Sequence, residues 1–326
     1  MRFRVLALVP PLALSLAACA QGTTADEPAP TTTTTPATTT TRSVPPTTTT
    51  AVATTSTPTT TTLTLVTAPP SLSADGMVLI TEDVTFTSQL SLDVFSPVAP
   101  GSFPVVVVFH GGGWVGGHPD DIAPLATAIA AGGAVVFNAP YRLALRGGGY
   151  PMTFEDASCA VRFARRHAPE FGGDPGLVIV VGYSAGAHIG AITALAGDSF
   201  SGDCTVQSGS ALPNAFVGVA GLYDTDLLDP LMSAFFGTER AEDPAPWEDG
   251  NPYTHIGANP GLIVRLVQGE LDRLVPVGFA IAFEDALDAA GYDVELTIIE
   301  GGEHGTVVDP QTRGDEVVAT VLALSG

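Results

Sequence analysis

Residues 103–110 read FPVVVVFH, an unbroken apolar run built mainly from β-branched side chains. A strand with one wet face alternates apolar and polar residues, so a run without alternation predicts a strand covered on both faces. Similar runs recur at 134–141 (AVVFNAPY), 177–182, 215–221, 262–268 and 293–299, and two half-buried strands precede them at 78–86 and 90–95. Between the runs lie segments with helical spacing. These are 120–131, ended by Gly132 and Gly133, then 154–168, ended at Pro169, then 185–196, 277–290 and 311–324. Apolar strands alternating with helices predict an α/β fold: a mostly parallel eight-stranded sheet with helices on both faces. In such sheets ligands sit beyond the carboxyl ends of the strands.

This pattern is confined to residues 74–326, about 250 residues and enough for one sizeable core. The chain before it reads differently. Residues 1–18 have arginines at 2 and 4, a short apolar stretch and small residues at the end, the make-up of a secretory signal. The apolar stretch is too short for a comfortable membrane span. Leu16-Ala17-Ala18-Cys19 resembles the lipobox of bacterial lipoproteins. That resemblance implies lipidation of Cys19 and export, with the chain anchored to the outer face of the bacterial cell membrane. Residues 19–73 are mostly Thr, Pro and Ala, without apolar periodicity. Such a segment buries too little apolar surface to offset its ordering entropy, which predicts a disordered stalk between bilayer and folded domain.

The formal net charge is −22. Nucleic acid is thereby excluded as a partner, because phosphate binding needs a basic face. Of three cysteines, Cys159 and Cys204 fall in the folded part. In an exported chain they are expected to pair, closing a loop of about 46 residues. Neither has the neighbours of a zinc site or a reactive thiolate. The glycine-rich loops lack the G-x-G-x-x-G spacing of a dinucleotide site.

Four strand ends carry chemistry. The first runs into His110-Gly111-Gly112-Gly113-Trp114, the next into GYSAGAH at 182–188, then Gly269-Glu270-Leu271-Asp272, then Gly301-Gly302-Glu303-His304-Gly305. A serine between glycines, followed in chain order by an acid and a histidine, is the order of a nucleophile elbow. The sharp turn from strand to helix pushes the Ser184 hydroxyl outward, and side chains at 182 or 186 would crowd it.

Together HGGGW, GYSAGAH, GELDRLVP (269–276) and GGEHG make the chain from about 76 to 325 resemble the α/β-hydrolase serine esterases. The resemblance is to the group with hormone-sensitive-lipase-like enzymes, acetyl-xylan and feruloyl esterases and kynurenine formamidase. It implies Ser184 as nucleophile, His304 as base and then acid, and Asp272 rather than Glu270 as the orienting carboxylate. It implies oxyanion donors at Gly112, Gly113 and Ala185. The expected chemistry is carboxylesterase hydrolysis of short-acyl esters, outside the cytoplasm on account of the signal segment, with a small-molecule ester substrate, no cofactor and no metal. Many relatives have glycine where Ala187 stands.

Other residues read as supports. His188, one turn past Ser184, is expected to pack or bond locally, and His110 to brace the glycine loop. Trp114 either lines the pocket or pins its loop. His118 and His255 have no metal-ligand spacing, and Asp224 reads as a loop cap. Residues 225–258 lie between two strands and are a candidate cover for the pocket. Three rivals remain open: an amidase or peptidase, an envelope-lipid esterase, and a non-catalytic binding protein on the same fold.

Overall fold

The structure is a computed structural model and describes residues 69–228 and 232–325. The signal segment, Cys19 and the stalk through residue 68 lie outside the described residues.

In chain order the strands are β1 (Ser71–Leu72), β2 (Val78–Thr85), β3 (Ser91–Pro97), β4 (Phe103–Phe109), β5 (Val135–Ala139), β6 (Gly173–Tyr183), β7 (Ala215–Val219), β8 (Ile263–Gly269) and β9 (Asp293–Ile299). The helices are α1 (Ala123–Ala131), α2 (Met152–His167), α3 (Ala185–Ala196), α4 (Ser233–Phe236), α5 (Ala245–Asp249), α6 (Gly278–Ala289) and α7 (Asp315–Ala323). The strands form one sheet in the order β1-β2-β3-β5-β4-β6-β7-β8-β9. The first three are antiparallel to their neighbours, and every pairing from β5 to β9 is parallel.

The sheet therefore has nine strands among the described residues, not eight. The additional strand is β1, which pairs Ser71 with Ile80 and Leu72 with Leu79 and lies within the stretch read as stalk. Two residues carry no period, so only the waiting edge of β2 reveals them. The helix expected over 120–131 begins with a 3-10 turn at Pro119–Ile122, capped by the His118 side chain, before α1 starts.

The central strands show why their sequences do not alternate. Val105, Val107 and Phe109 point into one core with Val178, Val180 and residues of α2, α3 and α6, such as Phe154, Ile189 and Phe283. Val106 and Val108 point into the other, with Ile179, Val181, Leu125 and Ile129 of α1, and Val317 and Val321 of α7. Each residue faces a helix layer, and none of these faces water. Cys159 on α2 and Cys204 are disulfide-bonded, with Cα atoms 5.3 Å apart. The bond ties α2 to a loop that bridges Thr87, at the turn between β2 and β3.

Candidate active site

The four predicted strand ends meet at the carboxyl edge of the parallel sheet, because β4, β6, β8 and β9 all point the same way. Ser184 sits between β6 and α3 with φ +54° and ψ −119°, a conformation non-glycine residues avoid. Its N–H donates to the Val219 carbonyl at 2.9 Å. A Cβ at Gly182 would collide with the Gly186 carbonyl, and one at Gly186 with the carbonyls of Phe109 and His110. Glycine is thus required at both positions by named backbone atoms.

The Ser184 Oγ lies 3.0 Å from Nε2 of His304, and Nδ1 of His304 lies 2.7 Å from Oδ2 of Asp272. An ionised carboxylate only accepts, so Nδ1 carries the proton and Nε2 is free to accept from the serine. The Asp272 side chain is fully buried. Its Oδ1 accepts from the backbone amides of Leu274 and Val275 at 2.9 and 2.8 Å, and its Oδ2 also accepts from the Gln268 side chain at 2.9 Å. Burial pushes this carboxyl up, but the hydrogen bonds from His304 and the two amides outweigh it, so it lies below the ordinary carboxylate value. The neighbouring Glu270 is exposed and accepts instead from the Gly301 N–H at 2.9 Å.

Two supporting residues escaped the sequence reading. Gln268 is a fully buried amide near the end of β8 that donates to Asp272 and to the Val275 carbonyl at 2.9 Å. Its signal is a polar residue in the otherwise apolar end of LIVRLVQG, four positions before the acid. Tyr183 donates to the His304 carbonyl at 3.2 Å. Burial, then the charge of Asp272, pushes its phenol up to about 12, so it remains a donor.

The glycine loop follows β4. Gly112, Gly113 and Trp114 have φ of +124°, +59° and +63°. A Cβ at Gly112 would strike the carbonyl of Gly116, which the tight loop brings close. Among the described residues nothing accepts from the amides of Gly112, Gly113 or Ala185. His110 braces the loop: its Nδ1 donates to the Gly111 carbonyl at 2.6 Å, and its ring stacks on Tyr141. Trp114 is 3% exposed and its indole donates to His188 at 3.1 Å, so it pins the loop. His188 thus bonds far along the chain rather than locally. Asp224 caps its loop by accepting from Asp226 N–H at 3.0 Å. Among the described residues no group of His, Cys, Asp and Glu is placed to hold a metal.

An open cleft of about 470 Å³ is lined by Leu271, Arg273, Leu274, Glu303, His304 and Gly305. The described residues of 225–258, namely 225–228 and 232–258, include short helical pieces, α4 and α5 among them.

The sequence profile of the BD-FAE family matches residues 92–287. The chain is 43% identical over 99 residues to Carboxylesterase NlhH of Mycobacterium tuberculosis, covering 30% of this chain and 31% of that protein. It is 27% identical over 242 residues to Esterase LipQ of the same organism, covering 70% and 56%. The chain thus spans from about a third to just over half the length of these curated relatives. Among solved structures it is similar to Thermogutta terrifontis esterase 2 phosphoramylated by tabun, with a TM-score of 0.62 and 25% identity over 76% of this chain and 93% of that one.

Proposed function

Because the chain belongs to the BD-FAE family of α/β-hydrolase esterases, we propose that it is an extracytoplasmic serine carboxylesterase acting on short-acyl esters, tethered to the bacterial membrane by a lipid on Cys19. One observation carries the reading: the hydrogen-bonded line from Ser184 Oγ through His304 to Asp272, at 3.0 and 2.7 Å.

A serine hydroxyl needs a base to attack a carbonyl. His304 Nε2 takes the Ser184 proton as Oγ bonds to the acyl carbon. Asp272 fixes the Nδ1–H tautomer and stabilises the imidazolium. The carbonyl oxygen becomes an oxyanion held by the amides of Gly112, Gly113 and Ala185, the last at the N-terminus of α3. His304 then protonates the leaving alcohol, and an acyl-enzyme remains. Water, deprotonated by the same nitrogen, attacks the acyl carbon and releases the acid. Side chains and water move every proton.

The described residues of 225–258 supply short helical pieces as a candidate cover, which favours small or exposed esters over long-chain lipids. Export and anchoring rest on the signal-like residues 1–18 and the lipobox-like Leu16–Cys19.

The test is hydrolysis of p-nitrophenyl esters of rising acyl length beside an anilide. Short esters are expected to turn over fastest. Preference for the anilide would move the assignment to an amidase, and preference for long chains to an envelope-lipid esterase. Ser184→Ala should lower kcat by roughly 10⁴-fold or more, as removal of triad serines does. An unchanged rate in that variant would refute the nucleophile.

A further inference from the structure

Acyl transfer by the triad gives His188 no part, yet its placement is demanding. It lies on α3 one turn beyond Ser184 and is completely buried. Both ring nitrogens bond to distant segments. Nδ1 accepts from the Trp114 indole N–H at 3.1 Å, and Nε2 donates to the Gly250 carbonyl at 2.8 Å. An indole N–H only donates and a carbonyl only accepts, so the partners fix the neutral Nε2–H tautomer. Burial acts in the same sense, holding the imidazole pKa down to about 4 against the hydrogen bond to Gly250.

Packing alone does not call for an imidazole here. Phe154, Phe235 and the Trp114 ring surround it at centroid distances of 5.6, 6.0 and 5.6 Å. A phenylalanine would fill this aromatic pocket without burying two polar atoms that must each find a partner. What the imidazole adds is a pair of directed bonds to two separate segments.

The first segment is the glycine loop. Gly111, Gly112 and Gly113 have no side chains with which to hold themselves in register with Ser184. Trp114 is the next residue, it sits at a left-handed φ of +63°, and its buried indole anchors the loop. Its polar anchor is His188, which shares a helix with Ala185, whose amide follows Ser184. The Trp114–His188 bond therefore sets the spacing between the loop amides and the nucleophile. The second segment is α5, held through Gly250 just past its end.

We propose that His188 is a positioning residue for acyl transfer: through Trp114 it sets the Gly112 and Gly113 amides against Ser184, and through Gly250 it ties the end of α5 to the same helix. The proposal rests on the serine-esterase reading of the site. A shift of a few tenths of an ångström in a preorganised donor weakens a transition-state bond more than it weakens substrate binding. The effect belongs in kcat.

The test compares the parent with His188→Phe, His188→Gln, Trp114→Phe and the double variant Trp114→Phe/His188→Phe, on a short-acyl p-nitrophenyl ester. His188→Phe and Trp114→Phe should each lower kcat about 10- to 100-fold, less than deleting an oxyanion donor outright at roughly 10²–10³. KM should stay within about threefold of the parent, as for an interaction made in the transition state only. The double variant should be no slower than the slower single one, because both break the same bond. His188→Gln, which keeps a donor and an acceptor, should recover part of the loss.

A second readout does not need activity. The chain has two tryptophans, hence two indole N–H resonances, and Trp114→Phe identifies one of them. His188→Phe should shift that resonance. An unmoved resonance overturns the proposal, as does an unchanged kcat in both single variants, or losses that multiply in the double one. A parent that hydrolyses no ester while the resonance shifts would refute the esterase reading and leave the bond standing. An active parent with an undisturbed His188→Phe variant would refute this inference alone.

Discussion

Glu270 accepts a hydrogen bond from the backbone N–H of Gly301 at 2.9 Å. Two residues further on, Asp272 accepts from the imidazole of His304 at 2.7 Å. The two carboxylates act at different points of one loop. Glu270 holds the backbone that leads to the histidine, and Asp272 holds the ring.

Substitutions should separate these roles. Asp272→Asn keeps the shape but turns the acceptor facing Nδ1 into an amide that can favour the wrong tautomer. It should lower kcat by about 10⁴-fold. Glu270→Gln retains an acceptor oxygen at an exposed site and should cost less than about tenfold. Steady-state kinetics of both variants on one ester decide it. Equal losses would mean that the acid has been misassigned.

The strand layout was legible because unalternating runs such as 105–109 and 178–181 have one physical use, burial on both faces. The elbow was legible because Gly182 and Gly186 each face a backbone carbonyl with no room for a methyl group. β1 was not, since two residues cannot show a period. Gln268 was missed because its role depends on the turn that folds Asp272 back over the end of β8. His188 was read as local because helical spacing points to α3 itself, whereas its partners are 74 and 62 residues away. Contacts between segments this far apart are fixed by the tertiary fold, which no window of sequence contains.

Gly186→Ala tests the elbow from the packing side. The added methyl group meets the carbonyl oxygens of Phe109 and His110, which belong to β4 and the glycine loop and have little freedom to move. Overpacking of this kind costs about 1–3 kcal/mol. At about 2–4 °C of Tm per kcal/mol for a domain of this size, thermal unfolding should register it clearly. Activity should fall further than stability alone explains, because the displaced carbonyl of His110 enters the loop that holds Gly112. An unchanged Tm would show that β4 and α3 have more room between them than these contacts allow.

The Cys159–Cys204 bond joins residues 45 apart in sequence. On the chain-entropy model, closing a loop of that length stabilises the fold by about 4 kcal/mol. The bridge lies between α2 and the loop near the β2–β3 turn, and among the described residues no side-chain hydrogen bond links it to Ser184, His304 or Asp272. Cys159→Ser/Cys204→Ser should therefore lower the urea midpoint substantially and leave kcat at low temperature within about threefold. Equal urea midpoints with and without reductant in the parent would show that the cysteines do not stabilise the fold as a pair.

Acid should destabilise the protein through His188. Its pKa lies at about 4 in the fold against an ordinary value of 6.5, held down by burial against the hydrogen bond to Gly250. Above pH 6.5 the ring is neutral in both folded and unfolded chains and stability is insensitive to it. As pH falls below 6.5, the unfolded chain takes up a proton that the folded chain refuses, so the unfolded state gains. The slope is about 1.4 kcal/mol per pH unit, and the loss reaches about 3 kcal/mol near pH 4, where the folded ring also protonates. The depressed pKa of Asp272 acts in the same direction, since its contribution is present above its ordinary value of 3.8 and is lost as pH falls through its folded value. His188→Phe removes the first contribution and keeps the second. Urea titrations at pH 7.5, 6, 5 and 4.5 should therefore show a steeper acid-side loss in the parent than in His188→Phe, even if the variant starts from a lower stability. Parallel curves would show that the buried imidazole is not the group that titrates.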